Sequence, residues 1–158
     1  MDSTAAEITL YITLVTGALV AGGQLFCLLA VIPAFGDWRA EQGVHVHQAA
    51  LSERPHRYLR VLSPIAVFGA LATVAIEHST EAAVILTAVG LVFSIFNGVY
   101  SQREWPINHE IDDFGADPSA EQVERYKGLR ETWDKQHVVR TVATNAALLC
   151  FAAAAAFA

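Results

Sequence analysis

Residues 141–158 read TVATNAALLCFAAAAAFA, and none of these eighteen residues is charged. A surface helix of a soluble bundle keeps a polar stripe toward water. This stretch has no charged face at any helical spacing. It is therefore not typical of a soluble four-helix bundle with a strongly apolar core. The pattern indicates a helix that lies in lipid.

Three other stretches are equally free of charge: residues 8–36, 61–76 and 82–102. The hydrocarbon core of a bilayer is about 30 Å thick, so a spanning helix needs roughly 20 mainly apolar residues. Charged residues make up only 16% of the chain, against about 25% in soluble domains. The sequence therefore predicts a single domain, residues 1–158, that is an all-α integral membrane protein built as a four-helix bundle.

The basic residues predict how this bundle is oriented. The predicted spans are residues 8–33, 58–76, 82–102 and 138–158, and the two long loops are residues 34–57 and 103–137. All ten Lys and Arg residues lie in or beside these loops. Lys and Arg mark the cytoplasmic side, so we expect both loops in the cytoplasm and both termini on the non-cytoplasmic side. Acidic residues outnumber basic ones by 16 to 10, which argues against a nucleic-acid partner.

Prolines predict where the first and third helices end and where the first loop is interrupted. Pro33 is expected to end helix one, and Pro55 to interrupt a partly helical first loop. Helix three is expected to stop at Trp105 and Pro106, because a residue that precedes proline avoids the helical region. An irregular segment, residues 108–118, should follow.

Helix four carries the most informative polar face. Ser119 and Gln122 form a capping-box pattern, so this helix should begin there and extend unbroken from the cytoplasm into the membrane. Four of its residues follow at spacings of four, three and four, which places them on one face at the cytoplasmic mouth. They are Trp133, His137, Arg140 and Thr144. The alternative is that His137 and Arg140 extend to lipid headgroups while Trp133 belongs to an interfacial aromatic belt.

A second polar group follows the end of helix three. Asn97, Tyr100, Glu104 and Asn108 lie near one face if the helix persists that far. Within the membrane, Asn97 and Gln24 of helix one are expected to bond between helices or to line a cavity, because an unpaired polar group in lipid is costly. No Asp, Glu or Lys is expected in mid-span, which disfavours an ion-coupled pump.

Histidines suggest a metal site on the same side. His45, His47, His109 and His137 all fall in the predicted cytoplasmic regions, and imidazoles can bind iron or copper. The competing interpretation is that these are solvated loop histidines. No organic cofactor is predicted.

Two short motifs resemble those of a known family. Pro106-Ile-Asn108 follows helix three, and Trp133-x-x-x-His137-x-x-Arg140 enters helix four. Together with four spans and a glycine-rich first helix, they resemble the anthrone oxygenase-like family of small membrane proteins. The resemblance implies oxidation of anthrones to anthraquinones with molecular oxygen and without a recognised organic cofactor. It also implies that Asn108, Trp133, His137 and Arg140 form the polar cluster of the family.

The chemistry assigns an expected role to each of these residues. His137 would be the catalytic base, and Arg140 and Asn108 would hold the developing oxyanion. Trp133, Trp105 and Tyr100 would supply an aromatic wall for the substrate. Asn97 and Gln24 complete the predicted substrate-binding set.

The expected partners are a hydrophobic, aromatic small molecule and the lipid bilayer. We expect a multi-pass protein of the bacterial cytoplasmic membrane whose small-residue faces also suit a homo-oligomer. Two other functions stay open at this point. One is a non-enzymatic membrane subunit or scaffold, and the other is a small transporter or lipid-binding protein.

Overall fold

The structure, a computed structural model, describes residues 3–36, 39–76 and 80–157, and these residues form helices without any strand. The all-α prediction is confirmed for this part of the chain. The α-helices are α1 (Ser3–Phe26), α2 (Ile32–Gly36), α3 (Ala40–Val46), α4 (Glu53–Ile76), α5 (Glu81–Ser101), α6 (Glu104–Asp112) and α7 (Ala120–Phe157). Two π-turns, Cys27–Val31 and His47–Ser52, join α1 to α2 and α3 to α4.

Neither Pro33 nor Pro55 ends a helix, so both of these predictions were wrong. Pro33 lies within α2 and Pro55 lies within α4. Each proline follows a π-turn by two or three residues. In a regular α-helix the proline ring clashes with the carbonyl four residues earlier. The wider π-turn displaces that part of the backbone, and the helix therefore continues through the proline.

The break after α5 also differs from the prediction. α5 ends at Ser101 and α6 begins at Glu104, so the turn comes before Trp105 and Pro106. Pro106 falls in the first turn of α6, where the missing N–H has no helical partner to lose. Residues 108–112, predicted to be irregular, are helical, and the turn-rich segment begins only at Asp113.

Helix α7 confirms the predicted start and continuity of helix four. Ser119 Oγ accepts from the Gln122 amide at 3.2 Å, and Gln122 Oε1 accepts from the Ser119 amide at 2.8 Å. The helix then runs unbroken for 38 residues, which is roughly 57 Å at 1.5 Å per residue. This length exceeds the hydrocarbon core of a bilayer, about 30 Å.

Three segments are long and apolar enough to cross a membrane, judged by length and composition: Glu7–Gly36, Glu81–Asp112 and Ala120–Phe157. They contain the first, third and fourth predicted spans, except that Ala158 lies outside the described residues. The second predicted span, residues 58–76, lies within α4, which packs along α1. Its membrane crossing stays a prediction, as does the side on which the loops and termini lie.

The long helices pack α1 against α4, α5 against α7 and α1 against α7. At one end, here called the closed end, Thr73 of α4 bonds to Thr9 of α1, and Thr80 bonds to the Phe157 carbonyl. The opposite end, here called the polar end, holds α2, α3, α6 and the first half of α7. The polar clusters and the cavity described below lie at the polar end.

Candidate active site

His137 is buried in α7, with 5% of its surface exposed. Its Nε2 lies 3.1 Å from the backbone carbonyl oxygen of Gln24. A carbonyl only accepts, so Nε2 carries the proton, and in the neutral ring Nδ1 keeps a lone pair. Nδ1 has no hydrogen-bond partner among the described residues. This bare nitrogen is a ready proton acceptor in a buried position.

Gln24 holds His137 from α1 and also bonds to α7 through its side chain. Gln24 Oε1 lies 2.9 Å from Thr144 Oγ1, a contact between α1 and α7. Gln24 Nε2 is buried and has no partner among the described residues. Gln24 therefore fixes the tautomer of His137 with its backbone, and its side-chain N–H groups are not used by the described residues.

Arg140 is held by two groups from the helix-three region of the sequence. One of its Nη atoms pairs with a carboxylate oxygen of Glu104, and its Nε donates to Asn97 Oδ1 at 3.3 Å. Arg140 and Glu104 are 4% and 1% exposed. A buried charge without a partner is costly, so each of these side chains depends on the other. Arg140 is thus directed between helices and does not extend to a surface.

Trp133 joins two histidines at the centre of the site. Its ring stacks on His137 with centroids 4.9 Å apart and meets His47 edge-on at 5.3 Å. His47 comes from the second π-turn and is completely buried. Its Nε2 lies 3.1 Å from Asn108 Oδ1. Burial lowers the pKa of His47 to about 4, with the nearby Arg130 charge adding to this effect, so the ring is neutral at pH 7.

A cavity of about 320 Å³ opens between these elements. Its walls are mainly apolar, with contributions from α1, the second π-turn and α4. The lining also includes the predicted or clustered site residues Gln24, Glu104, Trp133, His137 and Arg140. Ligand pockets of proteins usually measure about 300–1,000 Å³ and combine apolar walls with a few converging polar groups. The cavity has this character.

The structure brings together most of the predicted site residues but separates two aromatic ones. Tyr100 is half-buried and stacks on Phe96 at 5.3 Å. Trp105 is exposed and lies beneath the guanidinium of Arg60. Neither lines the 320 Å³ cavity. Trp105, Asn97 and Arg140 instead line a second cavity, of about 510 Å³, between α4 and α5.

Asn108, a predicted oxyanion donor, lies in the site but bonds to His47, and it does not line the 320 Å³ cavity. The four predicted metal-ligating histidines divide into two pairs. His47 and His137 are buried against Trp133, whereas His45 and His109 are exposed. No group of three or more His, Cys, Asp or Glu side chains is placed to hold a metal within residues 3–36, 39–76 and 80–157.

Two residues of the site, Glu104 and Arg130, were not predicted as site residues from the sequence. Glu104 was recognised on the polar face after helix three, but nothing in the sequence indicated Arg140 as its partner. Arg130 packs its guanidinium 3.7 Å from the Phe35 ring centroid and 5.0 Å from that of Trp133. It lies three and seven residues before Trp133 and His137, so helical spacing alone was a signal for its place in this cluster.

The fold and the site define an all-α protein with membrane-length helices and a buried His, Arg and Glu cluster facing an apolar cavity. The family model described as anthrone oxygenase matches residues 55–150, which is more than half of the chain. The chain belongs to the anthrone oxygenase family. The matched segment contains Asn97, Glu104, Trp133, His137 and Arg140, whereas Gln24 and His47 precede it. No curated protein and no solved structure matches the chain.

Proposed function

We propose that this protein is a membrane-embedded oxygenase that oxidises a hydrophobic, anthrone-like aromatic compound with molecular oxygen. One observation carries the proposal. His137 lines a ligand-sized apolar cavity, and its buried Nδ1 has no hydrogen-bond partner among the described residues, in a chain of the anthrone oxygenase family. A flat apolar substrate would reach this cavity from the bilayer, in which it dissolves.

The first step of the proposed reaction is removal of a proton. An anthrone has a CH₂ group between two aromatic rings, opposite a ketone, and its C–H is acidic because the resulting charge spreads onto the ketone oxygen. His137 Nδ1 accepts this proton while Nε2 stays bonded to the Gln24 carbonyl. The stacked Trp133 ring keeps the imidazole plane fixed, so the base is oriented before the substrate binds.

The developing negative charge on the ketone oxygen needs hydrogen-bond donors. Gln24 Nε2 and Trp133 Nε1 are both buried, both belong to cavity-lining residues, and neither has a hydrogen-bond partner in the described part of the chain. Preorganised donors of this kind stabilise an oxyanion because they do not have to reorient. Arg140, ion-paired with Glu104, belongs to the same wall. Asn108 does not line this cavity; its side chain holds His47 by a hydrogen bond.

The electron-rich carbanion then reacts with oxygen. One O₂ is consumed for each substrate molecule. One oxygen atom forms the new C=O at the former CH₂ carbon, and the other leaves as water with the two hydrogens of that carbon. The product is a quinone, and the reaction needs no other reductant.

The test is oxygen uptake by the detergent-purified protein supplied with anthrone, together with the appearance of the quinone absorbance. We expect His137→Ala to lower the rate by at least about 100-fold, the usual contribution of a general base. His109→Ala is the matched control, because that histidine is exposed. Gel filtration and circular dichroism would establish that both variants are folded. An unchanged rate in His137→Ala contradicts the proposed base. No uptake by the wild type would favour the scaffold or transporter alternatives.

A metal-dependent version of the reaction makes a different prediction. It would draw on His47 and His137, the two histidines that pack against the same Trp133 ring. Elemental analysis of the purified wild type and of His137→Ala separates the two versions. Stoichiometric iron or copper that is lost in the variant would show that His137 is a metal ligand. If the active wild-type protein contains no such metal, His137 is the catalytic base.

A further inference from the structure

The second cavity, of about 510 Å³, lies between α4 and α5 and is unlike the first. Its lining includes two guanidinium groups, those of Arg60 and Arg140, and several hydroxyl and amide side chains. Among the described residues, no carboxylate lines it. The charge of Arg140 is balanced by Glu104, which lines the other cavity. The charge of Arg60 has no such balance within the lining, so the second cavity has a net positive wall.

The position of the cavity favours a ligand that is both anionic and lipid-soluble. Arg60 lies over Trp105, with its guanidinium carbon 5.2 Å from the ring centroid, and this contact holds the charge at the polar end of α4. Trp residues concentrate at membrane interfaces. Beyond this level, α4 exposes Val61, Ile65 and Phe68, which are suited to contact acyl chains.

We propose that the cavity between α4 and α5 binds the headgroup of an anionic phospholipid. Arg60 supplies the charge that faces the phosphate, and the Ser63, Ser101 and Gln102 side chains provide neutral polar contacts around it. Basic pockets between membrane helices are known to favour anionic headgroups. The two cavities share Arg140 in their linings, but the proposed lipid takes no part in the oxygenase reaction.

The test measures the melting temperature of the delipidated protein in detergent after addition of phosphatidylglycerol or phosphatidylcholine. At ten times the Kd, we expect phosphatidylglycerol to raise it by about 3–6 °C, and phosphatidylcholine to have no comparable effect. Arg60→Gln should abolish the shift. Arg103→Gln is the matched control, because Arg103 packs over Tyr100 outside the cavity.

A second variant fills the cavity and leaves its charge unchanged. A side chain added at Gly98, which lines this cavity, meets nothing within 4 Å, so Gly98→Leu should fold and occupy the site. We expect it to lose the shift, whereas Gly22→Leu, at another open position, should keep it. An equal shift with phosphatidylcholine, a full shift in Arg60→Gln or Gly98→Leu, or the same shift with inorganic phosphate alone would overturn the proposal.

Discussion

At the scale of single residues, the pair Glu104–Arg140 is the most consequential contact in the site. Replacement of Glu104 by Gln leaves the Arg140 charge buried without its counterion. Loss of one member of a buried pair costs about 3–5 kcal/mol, and we expect a loss of this size in the free energy of unfolding. Denaturant unfolding in detergent would measure it.

The double variant Glu104→Gln with Arg140→Met separates this effect from a loss of packing. It removes the unpaired charge, so stability should return to near the wild-type value, while activity should remain low. Equal destabilisation in the single and double variants would show that the charge is not the cause.

His47 makes the stability of the protein depend on pH. Burial lowers its pKa to about 4 from an ordinary value of 6.5, so the unfolded chain binds a proton more readily than the folded one. The contribution of His47 to stability is complete above pH 6.5 and is lost as the pH falls toward 4. The shift corresponds to about 3 kcal/mol. Melting temperatures of the wild type and of His47→Gln across this range would measure it, with His45→Gln as the exposed control.

Residue spacing predicted part of the site because the face of one helix is a local property. Trp133, His137, Arg140 and Thr144 are all buried on the same side of α7, as their spacing indicated. Their partners were harder to predict, since Glu104 meets Arg140 only after α6 has turned back beside α7. The same limit applies to His47, which a His-x-His pattern suggested as a ligand and which the structure places against Trp133.

At the scale of helices, close approach at two glycines determines how the long helices pack. A Cβ atom at Gly69 would lie 2.4 Å from Thr13 Oγ1, and one at Gly90 would lie 2.6 Å from the Phe151 ring. We expect Gly69→Ala to destabilise the protein by about 1–3 kcal/mol through overpacking. The gain in helix propensity, about 1 kcal/mol, offsets part of this cost.

Thr13→Ala in the same chain removes the clashing hydroxyl and should restore most of the stability. Gly22→Ala is the control, because a Cβ there meets nothing within 4 Å. Thermal unfolding of the four proteins would test this contact between α1 and α4. A stable Gly69→Ala protein would show that the two helices separate at little cost.

Helix boundaries were predictable from capping but not from proline. The reciprocal bonds of Ser119 and Gln122 depend on neighbouring residues alone, and the sequence predicted them correctly. Whether Pro33 and Pro55 break a helix depends instead on the turn before each of them. A π-turn is stabilised by packing with other elements, and the sequence contained no signal for it.

At the scale of the whole molecule, the predicted topology makes a direct claim about accessibility. If both long loops are cytoplasmic, a cysteine placed at the exposed Asp117 should react with an impermeant thiol reagent in inside-out vesicles and not in intact cells. The two native cysteines, Cys27 and Cys150, are only partly exposed. A variant with Cys27→Ala and Cys150→Ala, but without Asp117→Cys, gives the background level of labelling. Labelling of Asp117→Cys in intact cells would show that the orientation is the opposite of the predicted one.

The tight glycine contacts and the large cavities occupy different parts of the same helices. Gly69 and Gly90 pack toward the closed end, whereas the 320 Å³ and 510 Å³ spaces lie toward the polar end. We therefore expect local opening of the packed helices to be easier beside the cavities than at the glycine contacts. For the proposed membrane-embedded oxygenase, a small splaying of intact helices would be enough to admit a substrate sideways from the bilayer, without any helix unfolding.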